Sequence, residues 1–94
     1  MSDKTTCRTP NAGGTTNLPT WKYDAVRRAI LAAIPEEGIS FSDLRKAAKA
    51  HVTEDDLQRL GSWGWHATTV KLEMEVAGDI ARVKGRSPQW IVRT

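Results

Sequence analysis

Cysteine is nearly absent from this chain of 94 residues: Cys7 stands alone. No disulfide can form within the chain, and a reducing compartment is the simpler expectation. Histidine is scarce too. His51 and His66 are the only two, and neither C-x-x-C nor H-E-x-x-H spacing occurs, so no metal centre is expected. No uninterrupted apolar stretch approaches the ~18 residues needed to cross a bilayer. The N-terminal residues are polar and lack the apolar core of a secretory signal. These absences lead to the expectation of a soluble, cytoplasmic protein with no membrane contact and no cofactor. Phe and Tyr occur once each, which leaves Trp21, Trp63, Trp65 and Trp90 to carry the aromatic bulk.

What is present suits one small domain with a single core. Hydrophobic residues make up 39% and charged residues 27%, which is ordinary for a globular protein. Net charge is +3 and the isoelectric point about 9.4. That balance is compatible with a polyanionic partner, yet it is far below the excess of a histone-like protein and does not require one.

The first nineteen residues, rich in Thr, Gly, Asn and Pro, lack periodicity and read as a flexible or strap-like arm. A turn is expected at Asn11-Ala12-Gly13-Gly14. Residues 1–6 read as a tail, whereas 8–19 would gain by packing Leu18 on the domain. The domain proper is expected over residues 20–94. Thr20 is a candidate N-cap for a helix from Trp21 to Ile34, with Tyr23, Val26, Ile30 and Ala33/Ile34 on one face. Pro35 and Gly38 stop it. Ser40 with Asp43 opens a second helix, whose stripe is Leu44, Ala47/Ala48 and Val52. Thr53 with Asp56 opens a short third segment that Gly61 closes.

Val70-Lys71-Leu72-Glu73-Met74-Glu75-Val76 alternates apolar and charged residues, the pattern of a half-buried strand. As a helix the same stretch carries two apolar faces: Ala67, Val70, Met74 and Ala77 on one side, Trp65, Leu72 and Val76 on the other. Ser62 as a cap, Gly78 at the C-terminal end and the helix-forming Glu, Met, Leu and Ala favour the helix. Two strands then follow, Ile80–Lys84 and Gln89–Arg93, joined by Gly85-Arg86-Ser87-Pro88.

A helix, Gly78, Ile80 and a basic hairpin, in that order, match the recognition helix and wing of a winged-helix domain. The spacing Met74 to Gly78 to Ile80 agrees with an L-x-x-x-G-x-I close to such a helix. The expected fold is therefore mainly α (α+β): a winged helix-turn-helix with three main helices, a short extra turn and a C-terminal β-hairpin wing.

A resemblance supports that outline. Thr9, Pro10, Asn11, Gly13 and Gly14 (T-P-N-x-G-G) are followed by K-Y-D-A-V-R-R-A-I-L at Lys22–Leu31. Then comes G-W-H-A-T-T-V-K-L-E-M-E-V-A-G-D-I-A-R at Gly64–Arg82. Together they resemble an uncharacterised bacterial family of small proteins, grouped as a domain of unknown function and winged-helix-like in outline. Trp65, the run Thr69–Glu75 and Gly78 are its most specific part. Where the family carries a second aromatic after the tryptophan, this chain has His66. The resemblance implies a fold and no activity, so function rests on surfaces.

Two classes of function remain open. Binding of double-stranded DNA, as by a small transcriptional regulator, would use His66, Thr68, Thr69 and Lys71 on the helix. Arg82, Lys84 and Arg86 on the wing would follow the backbone. Against this, exposed basic residues are mostly just solvated, and Glu73 and Glu75 would repel phosphate. A protein-interaction or homodimerisation module would instead use Trp63, Trp65, Leu72 and Val76, although tryptophans in a small domain also simply enlarge the core. Catalysis is not expected. Glu54-Asp55-Asp56 sits in a first helical turn, where the macrodipole favours acids, and Gly13-Gly14 does not form a phosphate loop.

Overall fold

Side-chain oxygens start three of the four helices found among the described residues. The computed structural model describes residues 3–10 and 14–94. The chain runs β1 (Lys4–Arg8), β2 (Thr15–Pro19), α1 (Thr20–Ala33), β3 (Ile39–Ser40), α2 (Phe41–Lys49), α3 (Glu54–Leu60), α4 (Trp63–Ala77), β4 (Ile80–Arg82) and β5 (Trp90–Arg93). The result is a mixed α+β domain. Ser40 caps α2 by accepting from the Asp43 amide at 3.2 Å, and Thr53 caps α3 by accepting from Asp56 at 3.1 Å. Ser62 caps α4 by accepting from Trp65 at 3.4 Å. Each hydroxyl satisfies one amide that the first helical turn leaves without a partner. Thr20 does not act as the expected cap. It is itself the first residue of α1, after Pro19, and its hydroxyl lies 3.0 Å from that of Thr5.

The alternating stretch 70–76 lies wholly within α4. Ala67, Val70 and Met74 are buried, as a helical core face requires. Ala77, expected on that face, is exposed instead, because the helix ends there and turns away at Gly78. Gly78 takes φ +85°, a conformation that costs a side-chain-bearing residue energy, and the Asp79 amide donates to the Met74 carbonyl at 2.9 Å. This is the glycine-closed helix end anticipated from the spacing.

The core is formed by Val26, Ala29 and Ile30 of α1, Leu44 and Ala48 of α2, and Val70 and Met74 of α4, closed below by Ile80 and Ile91. The C-terminal sheet has the order β3-β5-β4, all antiparallel, with Ile39 opposite Ile91 and Arg82 opposite Ile91 on the other edge. Its strands are shorter than expected. Lys84 and Gln89 fall in the connecting loop, although the Val83 amide still donates to the Trp90 carbonyl at 2.9 Å. Gly38, at φ +85°, precedes this sheet where a Cβ would overlap the Trp90 indole, Val92 and the Ile91 carbonyl. Only glycine fits there.

The N-terminal strands form a second, two-stranded sheet in which Cys7 pairs with Thr16 and Thr5 with Leu18. Residues 4–6, expected as part of a tail, are thus paired strand. Cys7 at 2% exposure and Leu18 at 4% join the central core, and their burial offsets the entropy of ordering the hairpin. The turn expected at Asn11–Gly14 falls, apart from Gly14, outside the described residues.

Candidate functional site

α4 carries an ion pair on each flank, one to β1 and one within the helix, and these decide what its outer face presents. On one flank Glu73, 5% exposed, accepts three hydrogen bonds from a single residue of β1. Arg8 donates from Nε to Oε1 at 2.8 Å, from Nη2 to Oε2 at 2.6 Å and from its backbone amide to Oε1 at 2.9 Å. Hydrogen bonds from the guanidinium hold the Glu73 carboxyl below the usual carboxylate range against the opposing effect of burial. The same burial, aided by the Glu73 charge, pushes the neighbouring Cys7 thiol up to about 11, which leaves it protonated and unreactive at neutral pH.

On the other flank Lys71 is 2% exposed. Its ammonium meets the Glu75 carboxylate one turn on, at 2.9 Å, donates to Gln89 in the loop before β5, and sits 4.7 Å from the centre of the Phe41 ring. All three partners compensate a charge that would otherwise be costly to bury. Beyond the end of α4, Arg27 of α1 pairs with Asp79 at 3.1 Å.

These contacts correct two of the four helix positions expected to face outward. His66 and Lys71 are both buried. His66 Nδ1 donates to the Ser62 carbonyl at 2.6 Å, and its ring meets that of Trp65 edge-on at 4.8 Å. The physical reason is that α4 is packed on by α1, by the N-terminal hairpin and by β4, so burial spreads from the core face to both flanks of the helix. Thr68 and Thr69 remain partly exposed. The two carboxylates that had argued against phosphate are both engaged within the domain.

What remains outward on α4 is apolar apart from two threonines. Trp65 is 48% exposed and Val76 37%, with Thr69 and Leu72 partly buried between them. Their spacing of four, three and four residues aligns them in one row along the helix. Trp63 does not join this row. It packs against the core, and its indole N–H donates to the Arg45 carbonyl at 2.9 Å. A groove of about 340 Å³ lies beside Leu72 of the row. It is lined by Thr9 and Pro10 after β1, by Lys71, Leu72 and Glu75 of α4, and by Arg82 and Gln89 of the C-terminal strands and their loop. Nothing in the spacing of residues 9 and 10 signals this role.

Arg82, Lys84 and Arg86, expected on a wing, are all exposed. Arg86 lies over the Trp90 ring at 3.7 Å, and Arg45 of α2 over Phe41 at 5.3 Å. Among the described residues none of these three cations takes part in an ion pair. Among the same residues no group of three or more His, Cys, Asp or Glu side chains could hold a metal ion. No described helix is long and apolar enough to cross a membrane.

Comparison with protein-family models matches residues 4–91 to a family of unknown function (DUF6958). The chain belongs to that family. Comparisons with curated proteins and with solved structures find no match.

Proposed function

We propose that this family member is a non-catalytic protein-interaction module on a winged-helix frame, and that it docks its partner on the outward face of α4. The frame is supported by the order α1, β3, α2, α4, β4, β5 and by the sheet order β3-β5-β4. In this reading α3 is an insertion before the recognition-type helix and the β4–β5 loop is the wing. The observation that carries the function is the contrast on α4 between Trp65, 48% exposed, and Lys71, 2% exposed. A helix that reads a major groove offers donors and cations to base edges and phosphates. This one offers an indole, a leucine, a valine and two threonines. A row of that kind at the surface favours burial against another protein, and tryptophan is the residue most enriched at interface hot spots.

A photo-crosslinking residue in place of Thr69, in cells that express the chain, tests the reading. Irradiation is expected to give a discrete protein adduct. Its absence, with the protein folded and abundant, would refute the docking face.

A second reading, DNA binding, is favoured by one observation. Arg82, Lys84 and Arg86 on the wing and Arg45, Lys46 and Lys49 on α2 are all exposed. In this version Thr68 and Thr69 are the helix contacts that remain, while His66 and Lys71 are withdrawn. Affinity for random duplex DNA would then fall with salt, with a logarithmic slope of about −0.9 per phosphate neutralised. Replacing the three wing cations by Ala should reduce that slope by about 3 and leave thermal stability unchanged. No binding at low ionic strength would exclude this version.

A further inference from the structure

A second cavity, of about 390 Å³, lies in the β4–β5 loop, lined by Arg82, Val83, Lys84, Gly85, Arg86 and Gln89. Among the described residues no carboxylate lines it, and none of its three cations takes part in an ion pair. Gln89 adds an oriented donor. A lysine ammonium can only donate, so the buried Lys71 takes the Gln89 side-chain oxygen. The Gln89 backbone carbonyl accepts from the Phe41 amide at 2.9 Å. With both acceptors engaged inside the domain, Gln89 has only N–H groups left to offer a ligand. Arg86 lies over the Trp90 ring at 3.7 Å, which occupies the face of its guanidinium and leaves the N–H edge free. At Gly85, with φ +74°, the position of a Cβ meets no atom within 4 Å, so open space remains beside the backbone.

We infer that this cavity binds the diphosphate group of a small molecule. Its three positive charges match the roughly three negative charges of a diphosphate near neutral pH. Guanidinium forks suit phosphate oxygens in both geometry and charge. The Gln89 amide completes a lining whose polar side chains only donate. A nucleic-acid backbone presents single charges strung along a strand, whereas a diphosphate gathers its charge within one cavity. Arg82 and Gln89 also line the groove beside Leu72, so an organic group carried on the phosphates has Leu72 and Pro10 to pack against. The site is independent of the docking face on α4 and shares its three cations with the DNA version above.

Isothermal titration calorimetry of the full chain with pyrophosphate, ADP and sulfate, at ~150 mM salt and without divalent cations, tests this. One pyrophosphate or ADP per chain is expected, bound at least ~10-fold more tightly than sulfate. Gln89→Glu is nearly the same size and keeps an oxygen for Lys71, yet replaces the donor by an acceptor. It should weaken binding at least ~10-fold, as loss of a hydrogen bond to a charged group does. Arg28→Gln, on α1 and outside the cavity, changes net charge by the same amount and should leave binding nearly unchanged. If Gln89→Glu loses native far-UV circular dichroism, Arg86→Ala takes its place with the same expected loss. Sulfate bound as tightly as pyrophosphate, equal losses in Gln89→Glu and Arg28→Gln, or no binding of either phosphate ligand overturns the site. ADP bound more tightly than pyrophosphate assigns the organic group to the groove beside Leu72, and equal binding assigns a diphosphate alone; each supports the site. Duplex DNA bound without any binding of pyrophosphate or ADP overturns this site and leaves the DNA version standing, whereas diphosphate binding without DNA binding does the reverse.

Discussion

An alanine scan of residues 70, 72, 74 and 76 separates a helix from the strand that the sequence pattern imitates. In a strand these four apolar residues would share one buried face, and each truncation would cost a similar amount. In α4 they do not. Met74 and Val70 are 0% exposed whereas Val76 is 37% exposed, and Leu72 is only partly buried. Truncating a fully buried Met to Ala costs about 2–5 kcal/mol, from lost transfer energy and the cavity left behind. Val70→Ala removes two methyl groups from the same core and should cost about 2 kcal/mol. Val76→Ala, at the surface of a helix that tolerates Ala well, should fall within about 0.5 kcal/mol of wild type. For a domain of this size each kcal/mol moves the midpoint by about 4–8 °C. Met74→Ala should therefore melt at least about 10 °C lower, while Val76→Ala melts within a few degrees of wild type. Guanidinium and thermal unfolding followed at 222 nm give both values. Equal costs at 74 and 76 would refute the helical register and, with it, the outward row of Trp65, Leu72 and Val76.

Two further outcomes follow from the flank of α4. Because Arg8 lowers the Glu73 pKa in the folded state, this pair stabilises the fold above the ordinary carboxylate range. That contribution is lost as pH falls from there through the depressed folded value. Glu73→Gln should flatten the acid limb of a plot of midpoint against pH, and an unchanged acid limb would show that the pair does not govern acid stability. Cys7, buried and with its pKa pushed up to about 11, should resist alkylation by iodoacetamide at pH 8 until the protein is unfolded. Labelling of the native protein at the rate of a free thiol would mean that the N-terminal hairpin opens readily.

Local signals carried most of the secondary structure. Ser40, Thr53, Ser62 and Gly78 mark ends of helices because capping is a matter between neighbours in the chain, so the residue and its spacing suffice. The pair Lys71–Glu75 is legible for the same reason: its members stand four apart. Glu73 was not. Within its own helix it has no cation three or four residues away, so its partner had to come from elsewhere, and Arg8 lies sixty-five residues distant. The burial of His66 and Lys71 was missed on the same account. A helical wheel shows which residues share a side but not how many sides are covered.

The chain's own pattern thus determined that a capped helix would run from Ser62 to Gly78 and that a basic hairpin would follow, since backbone amides and short-range spacing settle both. Which face of that helix meets the surroundings was decided only in three dimensions. Cys7 and Leu18 anchor a hairpin along one flank, and Gln89 and Phe41 close the other. Burial of a side chain depends on what distant segments bring to it, and no local pattern encodes that.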